Sequence, residues 1–170
     1  MTLTRDEIER ELEQLHQQSF AWALVCCGRN PADAEDVLQM TYLKILDGRA
    51  KFEGRSTFQT WLFGIIRQTA ASKWRKFVNR DRLLRVLFQH QPEASVPGPD
   101  SNVEYPANVR RLVHALNTLS QRQREILQLV FYHGMTVEEA AVTLGIGVGS
   151  ARTHYARGKR SLAGKLGETS

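Results

Sequence analysis

Residues 51–76 read KFEGRSTFQTWLFGIIRQTAASKWRK, a stretch in which aromatic, aliphatic and basic side chains share few positions. Its cations suit phosphate, but a merely solvated cationic surface has no use for Trp61 and Trp74. Near the C-terminus a second basic stretch carries Arg152, Thr153 and Arg157, side chains suited to base edges. Residues that could do other chemistry form no site. His16, His90, His114, His133 and His154 lack metal-ligand spacing, and no phosphate-cradling glycine loop or nucleophile–base pair is apparent. Cys26 and Cys27 are adjacent in a helical apolar pattern, where neither a framework disulfide nor spaced zinc ligands can be built. Ordinary packing is their main reading and a redox-sensitive thiol the alternative. No enzyme, cofactor or metal is expected.

Charge supports binding to a polyanion. The net charge of +5 is strongly segregated along the 170 residues. Residues 1–47 hold four Lys/Arg against nine Asp/Glu, and residues 48–86 hold ten against two. Residues 87–109 hold none against three, and residues 110–170 hold nine against four. Two separated basic blocks suggest two contacts with nucleic acid, and the acidic N-terminal block suggests a different partner. No run approaches the roughly 18 apolar residues that span a bilayer, and the acidic, amphipathic N-terminus is unlike a cleavable signal. A cytosolic chain without membrane insertion is expected.

The elements that must position these residues read as helical almost throughout. Apolar positions recur at intervals of three and four, and no stretch alternates with period two. A first helix is expected over residues 5–27, ending at Gly28. Asn30 can cap a second, with Pro31 at its first position and Asp47-Gly48 closing it. Ser56 or Thr57 starts a long third helix through Trp61, Ile65, Ile66 and Trp74. Pro92, Pro97, Pro99 and Pro106 then fall in QPEASVPGPDSNVEYP, which reads as an acidic linker. Beyond it, ANVRRLVHALNTL forms a helix, and capping boxes at Ser120 with Gln123 and Thr136 with Glu139 mark new starts. His133-Gly134 and Gly145 supply stops. The helix VEEAAVTL, the turn GIG and the helix VGSARTHYARGKRSLAGKL make a helix-turn-helix, with its second helix suited to a DNA major groove.

On that last helix, steps of 100° place Val148, Ala151, Tyr155, Leu162 and Leu166 on one apolar stripe. Gly149, Ser150, Thr153, Ala156, Arg157 and Arg160 lie opposite, with Arg152 and Lys159 on one flank and His154 on the other. No acid occurs between Val148 and Gly167, so the helix is suited to approach phosphate.

The chain resembles bacterial RNA polymerase sigma factors of the sigma-70 family, extracytoplasmic-function group. DAEDVLQMTYLKIL resembles the polymerase-binding helix of the second region, and FEGRSTFQTWLFGIIRQ its promoter-melting part. LVHALNTLSQRQREILQLVFYHGMTVEEAAVTLGIGVGSARTHYARGKRSL resembles the fourth region. The resemblance implies a polymerase contact through Asp33, Glu35, Asp36 and Gln39. It implies a minus-ten surface of Lys44, Gly48, Phe52, Ser56, Arg67, Gln68, Lys73, Arg75 and Lys76. Phe52 would stack on an unpaired base, Lys44 and Gln68 would complete its pocket, and Phe58, Trp61 and Leu62 would anchor the helix behind it. The minus-thirty-five element would meet Ser150, Arg152, Thr153, Ala156, Arg157, Lys159 and Arg160. Gln68 stands where the family generally has Asn, Met40 where it has Glu, Ser120 where Pro is common, and Gly147 where Ser often caps. Gly149 and Gly158 each lower the intrinsic stability of the last helix by roughly 1 kcal/mol relative to Ala.

The resulting expectation is an all-α chain: a second-region domain over 1–88, a linker over 89–106 and a fourth-region domain over 107–170. Its partners would be core RNA polymerase, through the β′ clamp and β flap, promoter DNA and an anti-sigma factor. The location would be the bacterial cytoplasm, nucleoid-associated when bound to polymerase. Two alternatives remain: a stand-alone helix-turn-helix regulator, which leaves the basic aromatic block unexplained, and a sigma-like decoy that sequesters an anti-sigma factor.

Overall fold

A computed structural model describes residues 3–88 and 106–167. It is all-helical, without strands among the described residues, and divides into two compact units, Met1–Asp100 and Ser101–Ser170. Pro92, Pro97 and Pro99 of the expected linker lie outside the described residues.

In the first unit, Thr4 and Glu7 form a capping box that starts α1 (Arg5–Gln14). The chain then leaves helical geometry at Leu15 (ψ 1°) before α2 (His16–Cys26), so the single helix expected over 5–27 is two. No Pro or Gly marks this break, and the buried positions Leu12, Ser19 and Trp22 keep helical spacing across it, which is why periodicity joins the two. Gly28 and Arg29 adopt positive φ and reverse the chain. Asn30 Oδ1 accepts from Asp33 N–H at 3.1 Å to open α3 (Pro31–Leu46). Thr57 Oγ1 accepts from Thr60 N–H at 3.2 Å at the start of α4 (Phe58–Phe88).

α2, α3 and the first half of α4 pack together around Trp22, Val37, Leu62, Phe63 and Ile66, all fully buried. The Trp22 indole N–H donates to the Phe63 carbonyl at 3.0 Å, and its ring lies nearly parallel to the Phe63 ring, 6.0 Å away. Truncating such a tryptophan to alanine costs about 3–5 kcal/mol. The 31 residues of α4 rise about 46 Å. From Trp74 to Val86 every described side chain is exposed except Asp81, which is half-buried. The long third helix does run through Trp74, as expected, and Trp74 lies in its exposed part.

The second unit holds α5 (Ala107–Asn117), α6 (Gln121–Leu127), a π-helical turn (Gln128–Tyr132), α7 (Val137–Leu144) and α8 (Val148–Gly167). Both expected capping boxes form, and Gly145 ends α7 at φ +63°. α8 packs on α5, α6 and α7. Its expected apolar stripe needs correction: Val148 and Leu166 are exposed, and Tyr155 and Leu162 are half-buried. The buried positions are Ala151 and Gly158. A Cβ on Gly158 would meet Leu127 Cδ1 at 2.9 Å, so this glycine, which reads in isolation as a cost to the helix, permits close approach to α6.

Candidate polymerase and nucleic-acid interfaces

The acidic face of α3 is set by helical spacing. Asp33 and Asp36 lie three residues apart near its N-terminus, where carboxylates favour the helix dipole. Packing brings Lys73 of α4 to both, with Nζ 2.7 Å from Asp33 Oδ1 and 2.9 Å from Asp36 Oδ2. Burial lowers the affinity of Lys73 for its proton, but the two carboxylates more than offset this and hold its pKa above the ordinary ammonium value. Lys73 therefore sits with the acids expected to meet polymerase rather than with the cations expected to meet DNA. Glu35 and Gln39 are exposed beside them. Cys27 lies close enough to feel both Asp33 and Lys73; chiefly through burial, its thiol is pushed up to about 11 and stays protonated at neutral pH.

The loop between α3 and α4 is positioned by its aromatic residues. Phe52, Phe58 and Trp61 form a trio with ring centroids 5.3–5.4 Å apart, Phe52 meeting Phe58 edge-on. Phe58 is buried, and Phe52 and Trp61 are half-buried. Phe52 is thus held in a cluster rather than presented from a free loop. Lys44 Nζ donates to Thr69 Oγ1 at 3.0 Å, and Thr69 follows exposed Gln68 in α4. Phe58 and Trp61 lie nearer the start of the same helix: Trp61 and Gln68 are seven residues apart, about 10 Å of rise. The structure thus bonds Lys44 to Thr69 and sets Phe52 against Phe58 and Trp61 at the start of α4. Gly48 closes α3 at φ +72°, and Ser56 Oγ donates to the Thr57 carbonyl at 3.1 Å. Arg67 is half-buried, whereas Arg75 and Lys76 are exposed.

Sequence reasoning assigned no site role to Trp74 and none to Phe77. Their rings are 66% and 60% exposed and stack on one another at 5.7 Å, with 26° between planes. The available signal was their three-residue spacing among arginines and lysines.

On α8, Ser150, Thr153, Ala156, Arg157 and Arg160 are exposed, on the side away from buried Ala151 and Gly158. Thr153 Oγ1 donates back to the Gly149 carbonyl at 3.0 Å. Arg152 is ion-paired at 2.8 Å with Glu138 of α7, and this hydrogen bond holds the Glu138 carboxyl below its ordinary range. Lys159 Nζ lies 5.2 Å from the centre of the Tyr155 ring, which itself stacks on Phe131. The two flanking cations are therefore oriented by neighbours, whereas Arg157 and Arg160 stand on the open face.

Other features lie apart from these surfaces. A groove of about 450 Å³ between α1 and α3 is lined by Leu12, Leu46, Tyr42, His16, Glu9 and Glu13. Among the described residues, no group of three or more His, Cys, Asp and Glu could hold a metal ion, and no helix is long and apolar enough to cross a membrane.

Comparison with known proteins gives two family matches, Sigma-70 region 2 over residues 12–80 and Sigma-70, region 4 over residues 109–162. The ECF RNA polymerase sigma factor SigX of Bacillus subtilis is 31% identical over 160 residues, covering 92% of this chain and 82% of SigX. The ECF RNA polymerase sigma factor EcfG of Rhodopseudomonas palustris is 30% identical over 164 residues, covering 95% and 84%. Among solved structures, the sigma factor RpoE of Bartonella quintana, in complex with the anti-sigma factor NepR, superposes with a TM-score of 0.70 at 26% identity. That match covers 98% of this chain and 100% of the other.

Proposed function

Because this chain belongs to the sigma-70 family of RNA polymerase sigma factors, in the extracytoplasmic-function group, we propose that it directs core polymerase to promoters through two DNA-binding domains. Members of this family are transcription initiation factors rather than enzymes, and the polymerase does the chemistry. In this reading, residues 1–88 bind the β′ clamp and melt the minus-ten element. Residues 89–106 link them to residues 107–170, which bind the β flap and the minus-thirty-five element in the bacterial cytoplasm.

The observation that carries the reading is the open face of α8, where Ser150, Thr153, Arg157 and Arg160 are exposed opposite buried Ala151 and Gly158. No acid between Val148 and Gly167 opposes a phosphate backbone there. Asp36, Glu35 and Gln39 supply the polymerase contact, with Asp33 beside them. Lys44 and Gln68 contact an unpaired base from adjacent helices, and Arg67, Arg75 and Lys76 neutralise the strand. Phe52 supports this surface from the aromatic trio, and an anti-sigma protein is the regulating partner, as NepR is found with RpoE.

The test is to add the purified chain to core polymerase and a library of promoter fragments and to sequence the transcripts. New start sites sharing two elements at constant separation support the reading. DNA binding without polymerase dependence indicates a stand-alone regulator. A chain that binds a cognate anti-sigma factor but yields no transcripts is a decoy.

A further inference from the structure

We infer that Glu138 of α7 is a positioning residue for promoter reading: its carboxylate holds the Arg152 guanidinium away from phosphate and presents the remaining N–H groups to a base edge. The inference deepens the reading above and rests on it for α8 as the helix that enters the major groove. Three observations carry it. Glu138 Oε1 accepts from Arg152 Nη2 at 2.8 Å, an ion pair that ties α7 to α8. Arg152 lies in the first two turns of α8, the part of a recognition helix that meets base edges. The cap of α7 does not need Glu138, because Glu139 completes it by accepting the Thr136 N–H at 2.8 Å.

Stability does not account for the pair. With side chains 68% and 54% exposed, Arg152 and Glu138 add little to folding by their attraction. Nor does the carboxylate favour DNA. α8 has no acid between Val148 and Gly167, so Glu138 sets a negative charge beside a face otherwise suited to phosphate. What the carboxylate supplies is direction. An arginine without a partner in the protein turns to the nearest phosphate, whereas Arg152 has its charge answered and part of its side-chain freedom removed before DNA arrives. The bond engages one N–H of a planar fork, and the N–H groups left over match the paired acceptors O6 and N7 of guanine. Glu138 thus trades general affinity for discrimination at one base pair.

The test selects duplexes from a library randomised over the upstream element, using the full-length chain with and without core polymerase, and sequences those retained. Wild type should prefer guanine at one position, and Arg152→Ala should lose that preference. Glu138→Gln should lower the same preference about fivefold. Its affinity for a duplex of unrelated sequence should rise, and its salt slope should steepen by about 1 as Arg152 takes up a phosphate. Glu138→Asp, which keeps the charge, should keep the preference, and Glu138→Gln should add nothing to Arg152→Ala. Preference is a ratio within one variant, so a loosened contact between α7 and α8 lowers all sequences alike and leaves it unmoved. The proposal is overturned if Glu138→Gln keeps the wild-type preference, alters a different position or weakens every sequence equally, or if no position depends on Arg152. Retention that does not depend on polymerase discards the initiation role alone, because the same preferences are then read from the chain by itself. Retention in neither arm overturns both.

Discussion

The Lys73 ammonium, 2.7 Å from Asp33 and 2.9 Å from Asp36, makes any substitution on this face affect a partner within the chain as well as one outside it. Magnitudes separate the two effects. Ion pairs this exposed contribute about 0.2–1 kcal/mol to stability, whereas a tenfold loss of polymerase affinity corresponds to about 1.4 kcal/mol. Asp36→Arg should lower core-polymerase affinity about tenfold or more with the helical spectrum intact, and Lys73→Met, which breaks the bridge but leaves the acids, should not. Equal affinity for wild type and Asp36→Arg would sink the contact. His133 gives a pH prediction. Burial lowers its pKa from 6.5 to about 4, so between these values the unfolded chain holds the proton that the folded chain lacks. Stability should therefore fall as pH drops from about 6.5 to 4, by on the order of 3 kcal/mol from this group. Thermal unfolding of wild type should show a steeper pH dependence across that window than His133→Phe; parallel curves would refute the assignment.

Among the elements, α8 combines a packing edge and a binding face. Gly158→Ala sets a methyl 2.9 Å from Leu127 Cδ1 and should destabilise the second unit by about 1–3 kcal/mol, although alanine favours helix. Chemical denaturation would show this, and a stabilised variant would contradict the close approach. On the opposite face, Arg157→Ala should cost about 1–3 kcal/mol of promoter binding and relax preference at one position, whereas Lys159→Ala should weaken all sequences alike and reduce the salt slope by about 1. Binding measured across a library of minus-thirty-five variants at several salt concentrations separates these outcomes. A Lys159→Ala variant with altered sequence preference but unchanged salt dependence would reverse the division. The ion pair with Glu138 makes Arg152 less informative for this purpose, because its removal also loosens the contact between α7 and α8.

For the whole molecule, two DNA-binding units engaged together should make initiation depend on the separation of the two promoter elements. A duplex turns once in about 10–10.5 base pairs. Inserting about five base pairs therefore moves the minus-thirty-five element to the opposite side and should abolish transcripts, and about ten should restore its face but not its distance. Transcript mapping on such a spacer series checks this. Initiation insensitive to spacer length would mean that only one unit reads DNA.

Much of this architecture was legible in the linear chain because its determinants are local. The caps at Asn30, Ser120–Gln123 and Thr136–Glu139 and the left-handed stop at Gly145 are interactions within a few residues, so types and spacing suffice to place them. The segregated charge pointed to nucleic acid, and the resemblance of the ordered motifs pointed to the sigma-factor family, which the comparisons established. Only packing decided which charges and rings are engaged. Lys73 is paired with acids 37 and 40 residues away, and Phe52 is drawn into a trio with Phe58 and Trp61. Gly158 is placed against Leu127, and Trp74 is left in solvent by a helix that outruns its neighbours. Helical periodicity states which residues share a face, but whether that face meets another element, a carboxylate or water depends on where distant segments come to rest.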